Sequence, residues 1–187
     1  TELERFLSHG ELDLILTHQY PAKLNARREF ESKRLIYIPL LKEPLCVVAS
    51  RQYDLPVLPA PHGDSFPMLD LNVLADIPYV QFNDNQRIRH ISDFILEQAQ
   101  LRPCVAVSSY SFPSVFKLVS SGMGFTFLPE YYVRRFIPDL SEVRIYGINP
   151  KYSAYWTSCV CYYQSDYMPV TVDRFLRLIK TAQFPYA

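Results

Sequence analysis

Glycine is scarce: 187 residues hold five, against 15 prolines. Chains that cradle nucleotide phosphates on bare backbone need glycine-rich turns that open a helix. The one close pair here, Gly122 and Gly124, follows a helical pattern instead, which excludes such a loop. Net charge is also missing, since 19 Lys plus Arg balance 19 Asp plus Glu. With no basic run either, this chain by itself has no sequence-independent grip on a phosphate backbone. No apolar stretch is long enough to cross a membrane, and the amino terminus carries Glu2 and Glu4 where a secretion signal would be basic and then apolar. Cysteine is sparse: Cys46, Cys104, Cys159 and Cys161 lie in apolar runs without disulfide-framework or zinc spacing. Cys159 and Cys161 fall on one face of a strand, and all four read as buried, reduced thiols of a cytoplasmic protein. There is no Gly-x-Ser-x-Gly elbow, no His-Glu-x-x-His and no convergent acid and base among Asp, Glu and His. No catalytic residue, metal or cofactor is therefore expected, and the chain reads as something other than an enzyme.

What is present is aromatic and patterned, with 14 tyrosines and 12 phenylalanines. The segment Pro103 to Pro129 reads as strand, loop, helix and strand. Cys104 to Val107 is an apolar run of the kind buried in a parallel sheet, and Ser108 to Ser111 break it. Phe112, Val115, Phe116, Leu118 and Val119 form a helical stripe with Ser111 placed to cap it and Pro113 suited to its first turn. Gly122 and Gly124 end the helix before the run Phe125 to Leu128, which implies a right-handed crossover between parallel strands. The loop Ser108 to Phe112 sits where a strand's carboxyl end meets a helix's amino end, a favourable place for a small anion.

The rest of the chain repeats this logic. Leu3, Phe6 and Leu7 mark a helix that Gly10 ends. Leu12 to Leu16 reads as a buried strand whose carboxyl-end loop is Thr17, His18 and Gln19. Lys23 to Arg34 is a charged, solvated excursion. Leu35 to Leu41 and Leu45 to Ala49 are two apolar runs separated by Lys42, Glu43 and Pro44, and Asp54 to Pro67 is a proline-rich irregular connection. Tyr79 to Phe82 is a strand, and Asn83, Asp84 and Asn85 are helix-capping types. Ile88, Ile91, Phe94, Ile95 and Ala99 give the next helix its apolar face. A brief helix at Tyr131 to Phe136, strands at Val143 to Ile148 and Ala154 to Tyr163, and a helix with Val172, Phe175, Leu176 and Ile179 complete the order. That order specifies the α/β class with mainly parallel sheets, in two lobes.

Four motifs in sequence carry a further reading: Leu7-x-x-Gly10-Glu-Leu-Asp13-Leu-Ile; Glu43-Pro-Leu-Cys-Val-Val-Ala49; Leu74-Ala-Asp-Ile-Pro-Tyr-Val80; and Val115 to Pro129 with its Val-x-x-Gly-x-Gly and closing Leu-Pro. Together they resemble the effector-binding domain of LysR-type transcriptional regulators, whose fold is that of type 2 periplasmic binding proteins. The resemblance implies two Rossmann-like lobes joined by two crossing strands, residues 1–50 with 165–187 and residues 51–164. It implies that the first lobe lacks its opening strand, helix and strand, and that Tyr53-Asp54-Leu55-Pro56 replaces the family's His-Pro-Leu. A small-molecule effector would bind between the lobes of a homodimer or tetramer. DNA would be held by an amino-terminal winged helix-turn-helix outside this sequence, with RNA polymerase as a further partner and no membrane. Family position places the ligand residues at Thr17 and His18 in the first lobe and at Gln81, Phe82, Asn83, Ser109, Tyr110, Ser111 and Phe112 in the second. The rule that ligands sit beyond the carboxyl ends of strands in open α/β sheets points to the same loops. Plainer roles compete at several of these positions. Ser111 suits a helix cap, Phe112 a core aromatic, Asn83 a cap, and His18 a solvated loop. A transport-type solute-binding protein of the same fold is the rival function.

Overall fold

The computed structural model describes residues 2–21, 34–59, 66–165 and 167–181. Of the expected charged excursion Lys23 to Arg34, only Arg34 lies within the described residues. The chain divides into two units, Thr1–Glu43 with Trp156–Ala187, and Pro44–Tyr155.

The first unit contains α1 (Glu2–Ser8), β1 (Leu14–Gln19), the first part of β2 (Leu35–Ser50), most of β9 (Tyr155–Tyr163) and α5 (Val170–Thr181). Strand β9 pairs with both β1 and β2. It runs antiparallel to β1, with Ile15 opposite Cys161 and Thr17 opposite Cys159. Because successive strand residues point to opposite faces, two separate cores form. Leu7, Ile15 and Cys161 pack with Leu35, Tyr37 and Tyr163 on one face. On the other, Val160 meets Val172 and Leu176 of α5, together with Leu14, Ile38 and Leu40. Two expectations for this unit change. Thr17, His18 and Gln19 are strand residues, not a loop, because their backbones are drawn into the ladder with Cys159, Ser158 and Thr157. In α1 it is Glu4 that is buried while Leu3 is 47% exposed, because the Tyr37 hydroxyl donates to the Glu4 carboxylate at 3.0 Å and removes the need for water there.

Strand β2 is one continuous element through Lys42, Glu43 and Pro44, where the sequence suggests a break. Pro44 is exposed, and a proline is tolerated in a strand where its absent N–H is not needed. Beyond it, Leu45 to Ala49 are almost wholly buried at the centre of the second unit. The sheet there has the order β3 (Val57–Leu58), β4 (Met68–Leu69), β8 (Val143–Ile148), β2, β7 (Phe125–Pro129), β5 (Tyr79–Phe82) and β6 (Val105–Ser109). It is mixed: β2 runs antiparallel to β7 and β8, whereas β5 is parallel to both β6 and β7. The proline-rich connection is not wholly irregular, since β3 within it pairs antiparallel with β4; residues 60–65 lie outside the described part.

Among the described residues, three α-helices complete this unit: α2 (Arg87–Gln98), α3 (Phe112–Leu118) and α4 (Glu130–Phe136). Buried Ile88, Ile91 and Ile95 confirm the helical stripe read for α2. The crossover β6–α3–β7 does join parallel strands, but they are not neighbours, because β5 lies between them. As the last strand in the order, β6 is far less buried than its apolar sequence suggests. Val105 is 46% exposed, and Cys104 just before it is the one exposed cysteine. Gly122 and Gly124 have φ of +102° and +130°, and a Cβ at Gly124 would stand 1.9 Å from the Pro78 carbonyl oxygen. This bare position lets the Phe125 N–H donate to that same oxygen at 3.0 Å, which seats β7 beside β5.

Candidate ligand site

The carboxyl ends of the parallel pair β5 and β6 place two loops side by side. One is 83–86, leading into α2; the other is 110–111, leading into α3. Phe82 pairs with Ser109 at the end of the ladder, and the Asn83 N–H then donates to the Ser109 carbonyl at 3.1 Å. Gln86 adds a side-chain tie, its Nε2 donating to the Tyr110 carbonyl. From behind, the Arg89 guanidinium donates to the Phe82 carbonyl at 3.1 Å and pairs with Asp84 and Asp93, each at 2.8 Å. Partial burial works against the charge on Arg89, but the Asp93 hydrogen bond and the Asp93 and Asp84 charges outweigh it and hold the group more firmly protonated. The loop after β5 is therefore braced from two sides.

The expected ligand residues of this unit fall into distinct environments. Ser111 is the N-cap of α3, its Oγ accepting from the Ser114 N–H at 3.2 Å and donating to the Ser114 hydroxyl at 2.7 Å. Ser109 is partly exposed at the strand end, and Tyr110 is 66% exposed. Phe82 has no exposed surface and meets Phe112 edge-on at 5.0 Å between ring centres; Phe112 in turn leans on Tyr132 at 4.9 Å. These two rings form the apolar floor beneath the loops, so Phe82 supports the site and offers no surface to it. Gln81 projects to the opposite face of the sheet from Phe82. There its Nε2 donates to the Ser108 hydroxyl at 2.8 Å, and it lines a cavity of about 670 Å³ with Tyr79, Arg89, Asp93, Glu97 and Arg102. Gln81 thus stands apart from Asn83 and Ser109 to Phe112, which the fold brings together. Asn83, Asp84 and Asn85 are not the helix cap. Gln86 occupies that position and makes no side-chain cap bond.

Thr17 and His18 belong to the other unit, where adjacency along β1 sends them to opposite faces. Thr17 is buried at 7% exposure, while His18 stacks on Trp156 with ring centres 4.1 Å apart. Trp156 is held in turn by Glu43, whose carboxylate accepts from the indole N–H at 2.8 Å and from the Ser158 hydroxyl at 2.9 Å. His18 is therefore part of an ordered polar and aromatic cluster, where a solvated loop residue is the simplest expectation from sequence.

Gln86, Arg89, Glu43 and Trp156 escape sequence reading. Gln86 and Arg89 sit one helical turn apart at the start of α2, but nothing local distinguishes them from solvated polar residues. Among the described residues, no group of His, Cys, Asp and Glu is arranged to hold a metal ion, and no helix is long and apolar enough to cross a membrane.

A two-unit chain with two crossing strands and loops gathered at strand ends has many solved counterparts. The regulatory domain of Synechocystis PCC6803 CcmR, in complex with 2-PG, superimposes with a TM-score of 0.71 at 19% identity, over 95% of this chain and 76% of that one. The C-terminal domain of a probable LysR family transcriptional regulator from Rhodococcus sp. RHA1 gives 0.70 at 20% identity, over 96% and 80%. A Corynebacterium glutamicum OxyR C206 mutant gives 0.71 at 18% identity, over 96% of this chain and half of the longer OxyR chain. No curated protein matches by sequence. At these identities the likeness is one of fold, and membership rests on the family model: the LysR substrate binding domain matches residues 1–183, so this chain belongs to that family.

Proposed function

We propose that this domain senses a small anionic effector at the joined loops 83–86 and 110–111 of its second unit, and that occupancy modulates transcription by a LysR-type regulator. The observation that carries this reading is the pairing of two strand-end loops by the Asn83–Ser109 and Gln86–Tyr110 hydrogen bonds above the Phe82–Phe112 floor. Ligands of open α/β sheets bind beyond such strand ends, in places with an apolar base and a few fixed polar groups. Ser109, Tyr110 and Asn83 supply the polar and aromatic edge. Ser111 acts through its cap, by fixing the first turn of α3 beneath the loop. Thr17 and His18 carry the same expectation on the first unit.

In the same reading the domain acts in the cytoplasm within a homo-oligomer, DNA being contacted by an amino-terminal winged helix-turn-helix and RNA polymerase by the assembled regulator. The effector then works by binding one conformation of the assembly more tightly than another. Replacing Ser109 and Ser111 together by alanine tests the site. Calorimetric titration with anionic candidates is expected to show affinity lowered at least tenfold. Thermal stability should fall only by the loss of one helix cap, about 1 kcal/mol. Unchanged affinity for an effector that the wild-type protein binds would place the site elsewhere.

A further inference from the structure

Two side-chain oxygens in the loop that leads into α2 stand out. Asn83 Oδ1 and Gln86 Oε1 are both shielded from solvent, and neither accepts a hydrogen bond. Buried polar atoms in folded proteins are paired in the large majority of cases, so two exceptions within four residues call for a reason. The orientation of Gln86 is not arbitrary. Its amide nitrogen donates to the Tyr110 carbonyl, a group that can only accept, and the free end must therefore be the oxygen. Nor is that oxygen spent on the helix, because Gln86 stands at the N-cap of α2 without making a cap bond. Asn83 is fixed beside it through its own backbone N–H to Ser109. Arg89 holds the chain on either side of Asn83, at the Phe82 carbonyl and the Asp84 carboxylate.

Resting on the site proposed above, we infer that Asn83 and Gln86 form a donor-recognising half-site beside Ser109, so that the effector carries a hydroxyl or ammonium group next to its anionic end. A carboxylate alone presents only acceptors and leaves both oxygens unpaired. A hydroxy or amino acid supplies the missing donors, and sites built to pair with a ligand O–H or N–H reject analogues that lack it far more strongly than apolar pockets reject a missing methylene. Gln86 is then a specificity-determining residue that also ties the two loops together.

Calorimetric titration of the full chain with matched series tests this: propionate, lactate and alanine; succinate, malate and aspartate; and the uncharged donor glycerol. Within at least one series the hydroxyl or ammonium member is expected to bind at least tenfold tighter than its plain parent. Gln86→Met should reduce that ratio below about threefold. Asn83→Leu leaves both loop ties in place and should act in the same direction, which keeps the test decisive if Gln86→Met loosens the loop. Equal affinities within every series that binds would overturn the half-site while leaving the anionic reading intact. Binding of glycerol that Gln86→Met abolishes, with no acid binding, would uphold the half-site and overturn the anionic reading. Failure of every compound to bind would overturn both.

Discussion

At the scale of single residues, burial decides chemistry that composition leaves open. Cys46 and Cys104 both lie in apolar runs, yet Cys46 is buried with its thiol donating to the Leu128 carbonyl at 3.4 Å, and Cys104 is exposed. Burial pushes the Cys46 thiol well above its ordinary value of 9.0 and the Tyr79 phenol above 10.0. The folded state thus retains protons that the unfolded chain releases as pH rises through those ordinary values. The stabilisation from these two groups is complete below about pH 9 and is lost as pH climbs toward their folded values. The urea midpoint should therefore fall as pH is raised from about 9 to about 10.5, and Cys46→Ala should show a shallower fall. A slope identical to wild type would mean that the thiol titrates freely. The same contrast applies to Phe82 and Tyr110, two aromatic residues near one loop. The first has no exposed surface and the second is 66% exposed.

At the scale of elements, the junction of α3 and β7 is the most constrained. With φ of +130° and the Pro78 carbonyl oxygen 1.9 Å from where a Cβ would lie, Gly124 admits no side chain unless β5 moves. Gly124→Ala is expected to cost about 3 kcal/mol from backbone strain and overlap combined. In a chain of this size that corresponds to a melting temperature lowered by roughly 6–12 °C. Gly10→Ala is the control. Its φ is +73° but nothing stands within 4 Å, so only the left-handed conformation is penalised, at about 1 kcal/mol. Thermal denaturation followed by circular dichroism compares the two; equal losses would show that the contact with Pro78 is not what makes Gly124 necessary. Because β5 ends at the candidate site, a shift there should also loosen the Asn83–Ser109 tie.

At the scale of the whole molecule, β2 and β9 are the elements that run through both units. Trp156, the chain's one tryptophan, lies on β9 within the first unit and is 7% exposed, so its emission reports on that unit, whereas far-ultraviolet circular dichroism reports on all helices and strands. Shared strands predict a single cooperative transition, with coincident urea midpoints for the two probes. Separated midpoints would show that the units unfold independently. The sequence by itself determined most elements of this protein. Apolar runs and capping signals located β5 and β8 at their observed limits, the apolar stripe of α2, the cap at Ser111 and the stop at Gly122 and Gly124. Ordered motifs identified the family. These are local properties, set by periodicity and by backbone freedom within a few residues. Only the tertiary structure decided what depends on partners distant in sequence. Pairing with β9 turned Thr17, His18 and Gln19 from a loop into a strand, and β2 ran unbroken through Pro44. The edge position exposed β6 despite its apolar residues. Gln86 became the tie between two loops because the carbonyl it needs, on Tyr110, is 24 residues away along the chain and adjacent only once β5 and β6 have paired.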